Sequence, residues 1–263
     1  MPIHSTNSFP SAHAGIHYSE FLELLTACSQ VQRFIEVGVV GGHIFSKIHA
    51  DRAIGIGPDL AISADIAANK NEVYLYRMSS NLFFDEKYND AILGGAPDFV
   101  FLDGLHNIEA LMLDFINIEK ISERSASVLI HDCLPLNLEM THRERETALR
   151  AGAATPFRGF WTGDVWKIIP ILREYRSDLR LDLLDCPPTG LLCVTGINPE
   201  SRILIENYDG IIERYKYYQL CHNSISELYS EILSSRTFLE AIVQSGRIVA
   251  AIPHGNQSIE KCL

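Results

Sequence analysis

The chain is short of basic charge and has no long apolar run. It carries 22 Lys and Arg against 33 Asp and Glu, a formal net charge of −11 over 263 residues. Binding a phosphate backbone needs concentrated Lys and Arg. The deficit therefore argues against a nucleic-acid binder and predicts a small-molecule partner. No uninterrupted run of about eighteen apolar residues occurs, so no transmembrane helix is predicted. The segment Met1-Pro2-Ile3-His4-Ser5-Thr6 has neither a basic start nor an apolar core, so it does not read as a secretory signal. No CxxC pair occurs either. Cys28, Cys133, Cys186, Cys193, Cys221 and Cys262 are scattered, which signals no structural zinc site and no disulfide framework and predicts reduced thiols in a cytoplasmic protein. Internal repeats and low-complexity segments are absent as well.

What is present is an ordinary globular composition, 47% hydrophobic and 21% charged, in a chain long enough for a sizeable core. Residues 1–15 read as a loose arm, and Tyr18–Cys28 has helical spacing of Phe21, Leu22, Leu24 and Leu25. Strand and helix signals then alternate. Strands are predicted at Arg33–Val37, Ala53–Ile56, Val73–Arg77, Asp98–Leu102 and Ser127–Ile130, with helices beginning at Ile44 and spanning Ile108–Ile121. Such alternation predicts a parallel sheet with right-handed crossovers. Leu181–Leu184 and Leu191–Val194 are joined by only a tight Pro-Pro-Thr-Gly turn, so they read as antiparallel neighbours. The expected architecture is α/β, a Rossmann-like doubly wound mixed sheet of five parallel strands plus a C-terminal antiparallel hairpin. The expected division is an N-terminal arm and helix over 1–30, a main domain over 31–198 and a helical extension over 199–263. In that extension Tyr208–Leu220 and Ser224–Ser245 read as helices. Tyr215, Tyr217 and Tyr218 would supply core or an oligomer contact.

Three predicted strands end in chemistry: Phe34-Ile35-Glu36-Val37-Gly38, Phe101-Leu102-Asp103-Gly104-Leu105-His106 and Leu129-Ile130-His131-Asp132. Ligands of open parallel sheets collect outside the carboxyl ends of the strands. Glycines in the Gly38–Gly42 turn let the backbone pass close to a ligand, and Glu36 is placed to face a cation. Acidic residues ending adjacent strands about 4.8 Å apart are positioned to share one cation. His106 has an unperturbed pKa near 6.5, suited to a general base.

In these motifs, their order and the terminal hairpin, the stretch from Arg33 to Thr195 resembles the class I S-adenosylmethionine-dependent methyltransferases. Asp103-Gly104-Leu105-His106, His131-Asp132 and Gly163-Asp164-Val165-Trp166-Lys167 are similar to the branch of small-molecule and sugar O-methyltransferases with a DxxH motif. The resemblance implies S-adenosylmethionine as donor, lined by Glu36, Gly38, Gly41 and Gly42. Asp59 would take the ribose side, because Gly57 stands where many members carry an acid, and Ser80 the adenine side. It implies Asp103 and Asp132 as ligands of Mg²⁺ or another divalent metal. His131, also in the ligand set, stands where an oxygen ligand is more usual, and imidazole suits Zn²⁺, Mn²⁺ or Fe²⁺ better than Mg²⁺. The resemblance further implies His106 as base, with Asp103 beside it. The acceptor would be a small-molecule hydroxyl.

Asp164 reads as a helix cap and Trp161 as the wall of a lid. Thr141–Arg150 reads as an exposed charged helix whose Arg143, Arg145 or Arg150 would be free to meet an anionic acceptor. Two further readings stand beside the first. A nicotinamide-dependent oxidoreductase would need a G-x-G-x-x-G spacing that Gly38, Gly41 and Gly42 do not follow. A catalytically idle assembly module would account for Gly57 and His131. A homo-oligomer built on the Tyr-rich segment is also expected.

Overall fold

Side-chain parity along the strands divides the core in two. The computed structural model describes residues 13–88, 92 and 94–245, so most of the expected arm and Cys262 lie outside the described residues. The strands are β1 (Arg33–Val37), β2 (Arg52–Ile56), β3 (Glu72–Tyr76), β4 (Phe99–Leu102), β5 (Ser127–His131), β6 (Arg180–Leu184) and β7 (Leu191–Thr195). They form one sheet in the order β3-β2-β1-β4-β5-β7-β6. β1 to β5 are parallel, and β7 runs antiparallel to both β5 and β6. The expected Rossmann-like mixed sheet with a terminal hairpin is what forms. The short Asp185–Gly190 connection leaves no room for a crossover, which forces β7 to reverse.

Successive side chains of a strand face opposite sides. Ile35, Val37, Val100, Leu102, Val128 and Ile130 face one layer, where they meet α4 (Ile108–Ile121), α6 (Ile168–Tyr175) and α8 (Tyr208–Tyr215). Phe34, Phe99, Phe101, Leu129 and Cys193 face the other, against α1 (Tyr18–Ser29), α2 (His43–Lys47) and α10 (Ser235–Ser245). Burial of each phenylalanine contributes about 1.5–3 kcal/mol. β4 and β5 are buried along their whole length, whereas β3 at the sheet edge is only half-buried. Further α-helices among the described residues are α3 (Ser80–Glu86), α5 (Arg145–Gly152), α7 (Ile203–Glu206) and α9 (His222–Tyr229). A fully buried Arg176 pairs with Glu119 at 2.5 Å and with Asp178 at 2.8 Å, which fastens α4 to the loop after α6.

The C-terminal helices are shorter than expected. The first stops at Tyr215, and the stretch 224–245 is two helices, α9 and α10, rather than one. The break is made by the sheet: Leu233 bridges Leu184 and donates its N–H to Leu183 O at 2.7 Å, and Asp185 accepts from the Ser235 N–H at 2.6 Å. An edge strand with unpaired backbone groups outcompetes helical continuation there. Tyr215 is core, while Tyr217 and Tyr218 are exposed. Cys28, Cys133, Cys186 and Cys193 are free thiols. Among the described residues, no helix is long and apolar enough to cross a membrane.

From β1 the chain moves to β2 on one side, and β4 lies on the other, so the sheet's switch point is the seam between β1 and β4. The two strand ends nearly touch there. Gly38 adopts φ +107°, and a Cβ on it would collide with the Asp103 carbonyl oxygen. Gly38→Ala should therefore destabilise the protein by about 1–3 kcal/mol, read as a lower midpoint in urea with an unchanged slope.

Candidate active site

Parity also assembles the site. Glu36, Asp103 and His131 continue the face of Phe34, Phe101 and Leu129, the face that α1 covers. Asp132, one residue on, would point the opposite way from extended backbone. It instead adopts φ +59°, a conformation that Asp tolerates better than most residues, and its carboxylate turns back toward the others. His106 arrives from the loop before α4, where Asn107 caps the helix by accepting the Ala110 N–H at 2.8 Å.

Four groups meet. His131 Nδ1 lies 3.3 Å from Asp103 Oδ1 and 3.5 Å from Asp132 Oδ2. His106 Nε2 lies 3.3 Å from Asp132 Oδ2 and 3.7 Å from Asp103 Oδ1. Hydrogen-bond logic fixes which ring nitrogens face the acids. His106 Nδ1 is 3.1 Å from the Trp161 carbonyl, which only accepts, so Nδ1 carries a hydrogen. His131 Nε2 lies 3.4 Å from Thr189 Oγ1, and the Thr189 hydroxyl donates to Asp132. Nε2–H of His131 is then the donor to Thr189. His131 Nδ1 and His106 Nε2 are left facing carboxylates, an arrangement that needs either protons or a cation between them.

The titration shifts follow. Burial lowers the pKa of His131, but Asp132 and Asp103 outweigh it and push it up to about 9. Burial also opposes the raised pKa of His106, which comes from Asp103 and Asp132. Burial disfavours the charge of Asp103, yet His131 and His106 hold its carboxyl well below the usual range. Asp132 goes up, through burial and the neighbouring Asp103.

Asp103, His131 and Asp132 offer one nitrogen and two carboxylate oxygens, all within 4.8 Å of one another. Ligand atoms around a divalent ion of the first transition row lie about 3–4 Å apart. A small inward shift of the carboxylates closes such a site, and the donor set fits a cation that accepts imidazole.

Two residues without a motif complete the wall. Tyr18, at the start of α1, stacks on His131 with centroids 3.9 Å apart and 21° between planes. Its phenol pKa is raised by burial and then by Asp103, Asp132 and Glu36. Its N–H donates to Pro187 O at 3.1 Å, so the β6–β7 turn supplies Thr189 and also seats Tyr18.

Trp161 stacks on His106 at 4.6 Å and donates its indole N–H to His142 O at 2.7 Å. Gly163, at φ +54°, lets the chain pass where a Cβ would collide with the His106 carbonyl oxygen. Asp164 then donates its N–H to that oxygen at 3.0 Å. Its side chain does not cap the following turn as expected. It pairs instead with Arg143 and, at 2.7 Å, with Lys167, because a carboxylate this buried needs charge rather than one N–H. Arg143 also holds Glu109 at 2.9 Å, as does Lys216. It is therefore committed internally rather than exposed. Beyond this clamp lies a cavity of about 400 Å³ lined by residues including His142, Arg143, Trp166 and Lys216, none of them from the Asp/His cluster.

Glu36 is 4% exposed, and its Oε2 has no hydrogen-bond partner. Burial raises its pKa to about 8, Asp103 adding and Lys70 subtracting. Lys70, which the sequence reading missed, is itself lowered to about 8 by burial. An orphan buried carboxylate oxygen beside a glycine turn fits a cationic ligand group such as an ammonium. Gly42, at φ +78°, opens α2, and the turn is tied down by the Ala61 and Ser63 N–H groups on Val40 O and Gly41 O. Gly57 has a steric reason: a Cβ there would collide with the Val39 carbonyl oxygen. Asp59 is exposed on the turn after β2, and Ser80 opens α3 after β3.

No family model matches the chain, and a search of curated proteins finds no relative. Solved structures with a similar fold include the O-methyltransferase TomG from Streptomyces achromogenes, involved in tomaymycin synthesis and bound to SAM. It is 16% identical, with 68% of this chain and 78% of that chain covered and a TM-score of 0.45. An O-methyltransferase from Bacillus cereus in complex with SAH is 13% identical over 71% and 83% of the two chains, with a TM-score of 0.44. The MycE methyltransferase of the mycinamycin pathway, in complex with Mg, SAH and mycinamycin VI, is 14% identical over 70% of this chain and 49% of that chain, with a TM-score of 0.40. None of the three reaches a TM-score of 0.5.

His131 and Glu36 have pKa values raised above the ordinary 6.5 and 4.5 of their side chains, so the folded state holds protons that the unfolded chain has lost. Stability from both is present at low pH and is lost as pH rises toward about 8 for Glu36 and about 9 for His131. In chelator-treated buffer the melting temperature should fall between pH 6.5 and 8. Mn²⁺, which competes with the His131 proton, should bind more tightly as pH rises over the same range. A flat melting profile together with pH-independent Mn²⁺ binding would contradict the charge assignment.

Proposed function

We propose that the chain transfers a methyl group from S-adenosylmethionine to a hydroxyl of a small molecule such as a sugar or secondary metabolite. One juxtaposition carries this reading: the unpartnered Glu36 carboxylate beside the glycine turn on β1, next to the Asp103–His106–His131–Asp132 cluster on the adjacent strand ends. A cation-binding wall and an acid–base centre then share one seam, as group transfer from a cationic donor requires.

Glu36 takes the donor's ammonium, and the glycines at 38, 41 and 42 let the backbone lie against it. Asp59 and Ser80, on the turns after β2 and β3, take its ribose and adenine sides. The donor supplies an electrophilic methyl carbon: as the acceptor oxygen bonds to it, the carbon–sulfur bond breaks and a neutral thioether leaves.

His106 Nε2 removes the acceptor's proton, and the Trp161 carbonyl on Nδ1 holds the ring in the tautomer that permits this. Asp103 and Asp132 then stabilise the imidazolium that forms. Trp161, stacked on His106, is a wall of the acceptor pocket and excludes water from it. Asp103, His131 and Asp132 would hold a divalent ion, which would supply charge compensation for the acids and Lewis-acid activation of a hydroxyl.

His106→Ala should lower kcat by about 10²–10⁴-fold while the donor Kd, measured by calorimetry, stays unchanged. Glu36→Gln should do the opposite, weakening donor binding with a smaller effect on kcat at saturating donor. Equal losses of kcat and donor affinity in His106→Ala would remove His106 from the role of base. Absence of donor binding by the unmodified protein, with and without Mg²⁺ or Mn²⁺, would overturn the reading itself.

A further inference from the structure

The charge network on the His106 flank holds more positive than negative charge. Arg143, Lys167 and Lys216 converge on two acids, Glu109 and Asp164. Their hydrogens are not all used. Lys167 is 3% exposed, and its three N–H groups meet two oxygens, Asp164 Oδ1 and the Lys216 carbonyl, each at 2.7 Å. Among the described residues, Lys216 Nζ pairs with Glu109 alone, at 2.9 Å. Arg143 gives both terminal nitrogens to Asp164 and Glu109, and its Nε–H meets no acceptor there. The Trp166 and Tyr217 rings, 5.9 and 5.8 Å from the Nζ atoms of Lys167 and Lys216, supply π attraction but no anionic oxygen. A buried ammonium with an unused hydrogen is costly until an acceptor arrives. Burial accordingly lowers the pKa of Lys167 despite Asp164 beside it.

All three cations line the cavity of about 400 Å³ that lies among the turn after β5, the segment before α6 and the segment after α8. Small-molecule sites occupy roughly 300–1,000 Å³. One side of the cavity is aromatic. Trp166 and Tyr218 have ring centroids 5.8 Å apart, and Tyr217, on the same wall, is 77% exposed. Glu139 lines the cavity too, but it forms no ion pair among the described residues, and its Oε2 is buried without a partner. It leaves the free hydrogens of the three cations unmet and offers a separate acceptor for an N–H or O–H of a ligand. Asp164 faces the cavity while its N–H holds the His106 carbonyl. Trp161 stacks on His106 while its indole holds the carbonyl of His142 on the cavity wall. The segment 161–164 is thus a partition between the cavity and the Asp/His cluster.

We propose that this cavity is a second ligand site, which takes a small organic anion: a carboxylate or phosphate carried on a flat ring. The anionic oxygens meet the unused N–H groups of Lys167, Lys216 and Arg143, and the ring lies against the aromatic side. The chain as a whole, at −11, repels anions, so these contacts rather than long-range attraction select the ligand. The site needs nothing of the methyl-transfer reading and adds to it.

The test is calorimetric titration of the full chain with benzoate, phenyl phosphate and benzamide, the last a neutral match for benzoate in shape. One or both anions should bind at least about tenfold more tightly than benzamide, the worth of one charge-assisted hydrogen bond. Lys216→Met keeps the aliphatic stem at a half-exposed position and should erase most of that preference. Tyr217→Ala, at an exposed position, should weaken the anions and benzamide alike by about threefold and leave the preference intact. If neither anion binds more tightly than benzamide, the site is overturned. Anion binding that a folded Lys216→Met and Tyr217→Ala both leave unchanged would overturn it as well, since the anion would then sit elsewhere.

Discussion

Everything at the carboxyl edge of the sheet follows from two carboxylates that adjacent strands bring into one partly dehydrated space. Asp103 and Asp132 end β4 and β5, and strand spacing leaves them too close to carry two negative charges unaided. The chain answers with two imidazoles. His131 stands between the acids on one side and His106 on the other, each with the ring nitrogen that faces the acids determined by what its second nitrogen meets. Two imidazolium protons balance two carboxylates. One divalent ion does the same, with both rings neutral. The acid–base behaviour of the cluster therefore belongs to the four groups together.

Holding four groups in register costs conformational freedom, and the fold meets that cost with contacts distant in sequence. The β6–β7 turn contributes Thr189, which bonds both Asp132 and His131, and the Pro187 carbonyl that receives Tyr18. α1 contributes the Tyr18 ring lying flat on His131. On the other flank, Glu109, Asp164, Arg143, Lys167 and Lys216 form a paired charge network around the segment that carries Trp161 and touches His106. These side chains are bound to one another, and Arg143, Asp164, Lys167 and Lys216 also line the neighbouring cavity. They set the position of His106 and of the wall stacked on it.

The sheet was legible in the sequence because its signals are local: short apolar strands, turn residues at their ends, and a tight link before the last strand that permits only an antiparallel partner. The convergence of Asp103, His106, His131 and Asp132 was legible for the same reason, since each stands at or shortly beyond a strand end whose place in the sheet the pattern predicts. Tyr18, Thr189 and Lys70 were not. Each reaches the site through packing between elements far apart in the chain, and none stands in a motif. Asp164 and Arg143 misled because their local context suggested a cap and a solvated helix, whereas burial made ion pairing the stronger demand. The long C-terminal helix misled because helical propensity is local and the unpaired edge of β6 is not.

Gly57 shows how such distant packing changes the meaning of an apparent departure. Read by motif, a glycine where an acid is common suggests a lost function. In the fold, the Val39 carbonyl lies over this position, so no side chain fits there at all. The same backbone path brings the Gly38–Gly42 turn down onto the ends of β1 and β2, where Gly38 and Val39 both donate to Ile56 O. A turn packed this tightly leaves recognition to groups beneath and beside it. Glu36 under the turn and Asp114 across the seam are both buried and both lack a partner for one oxygen. Most other buried acids of the described residues are paired or hydrogen-bonded, so an unsatisfied carboxylate oxygen on each face of one seam is a hydrogen-bonding demand that the fold itself leaves open.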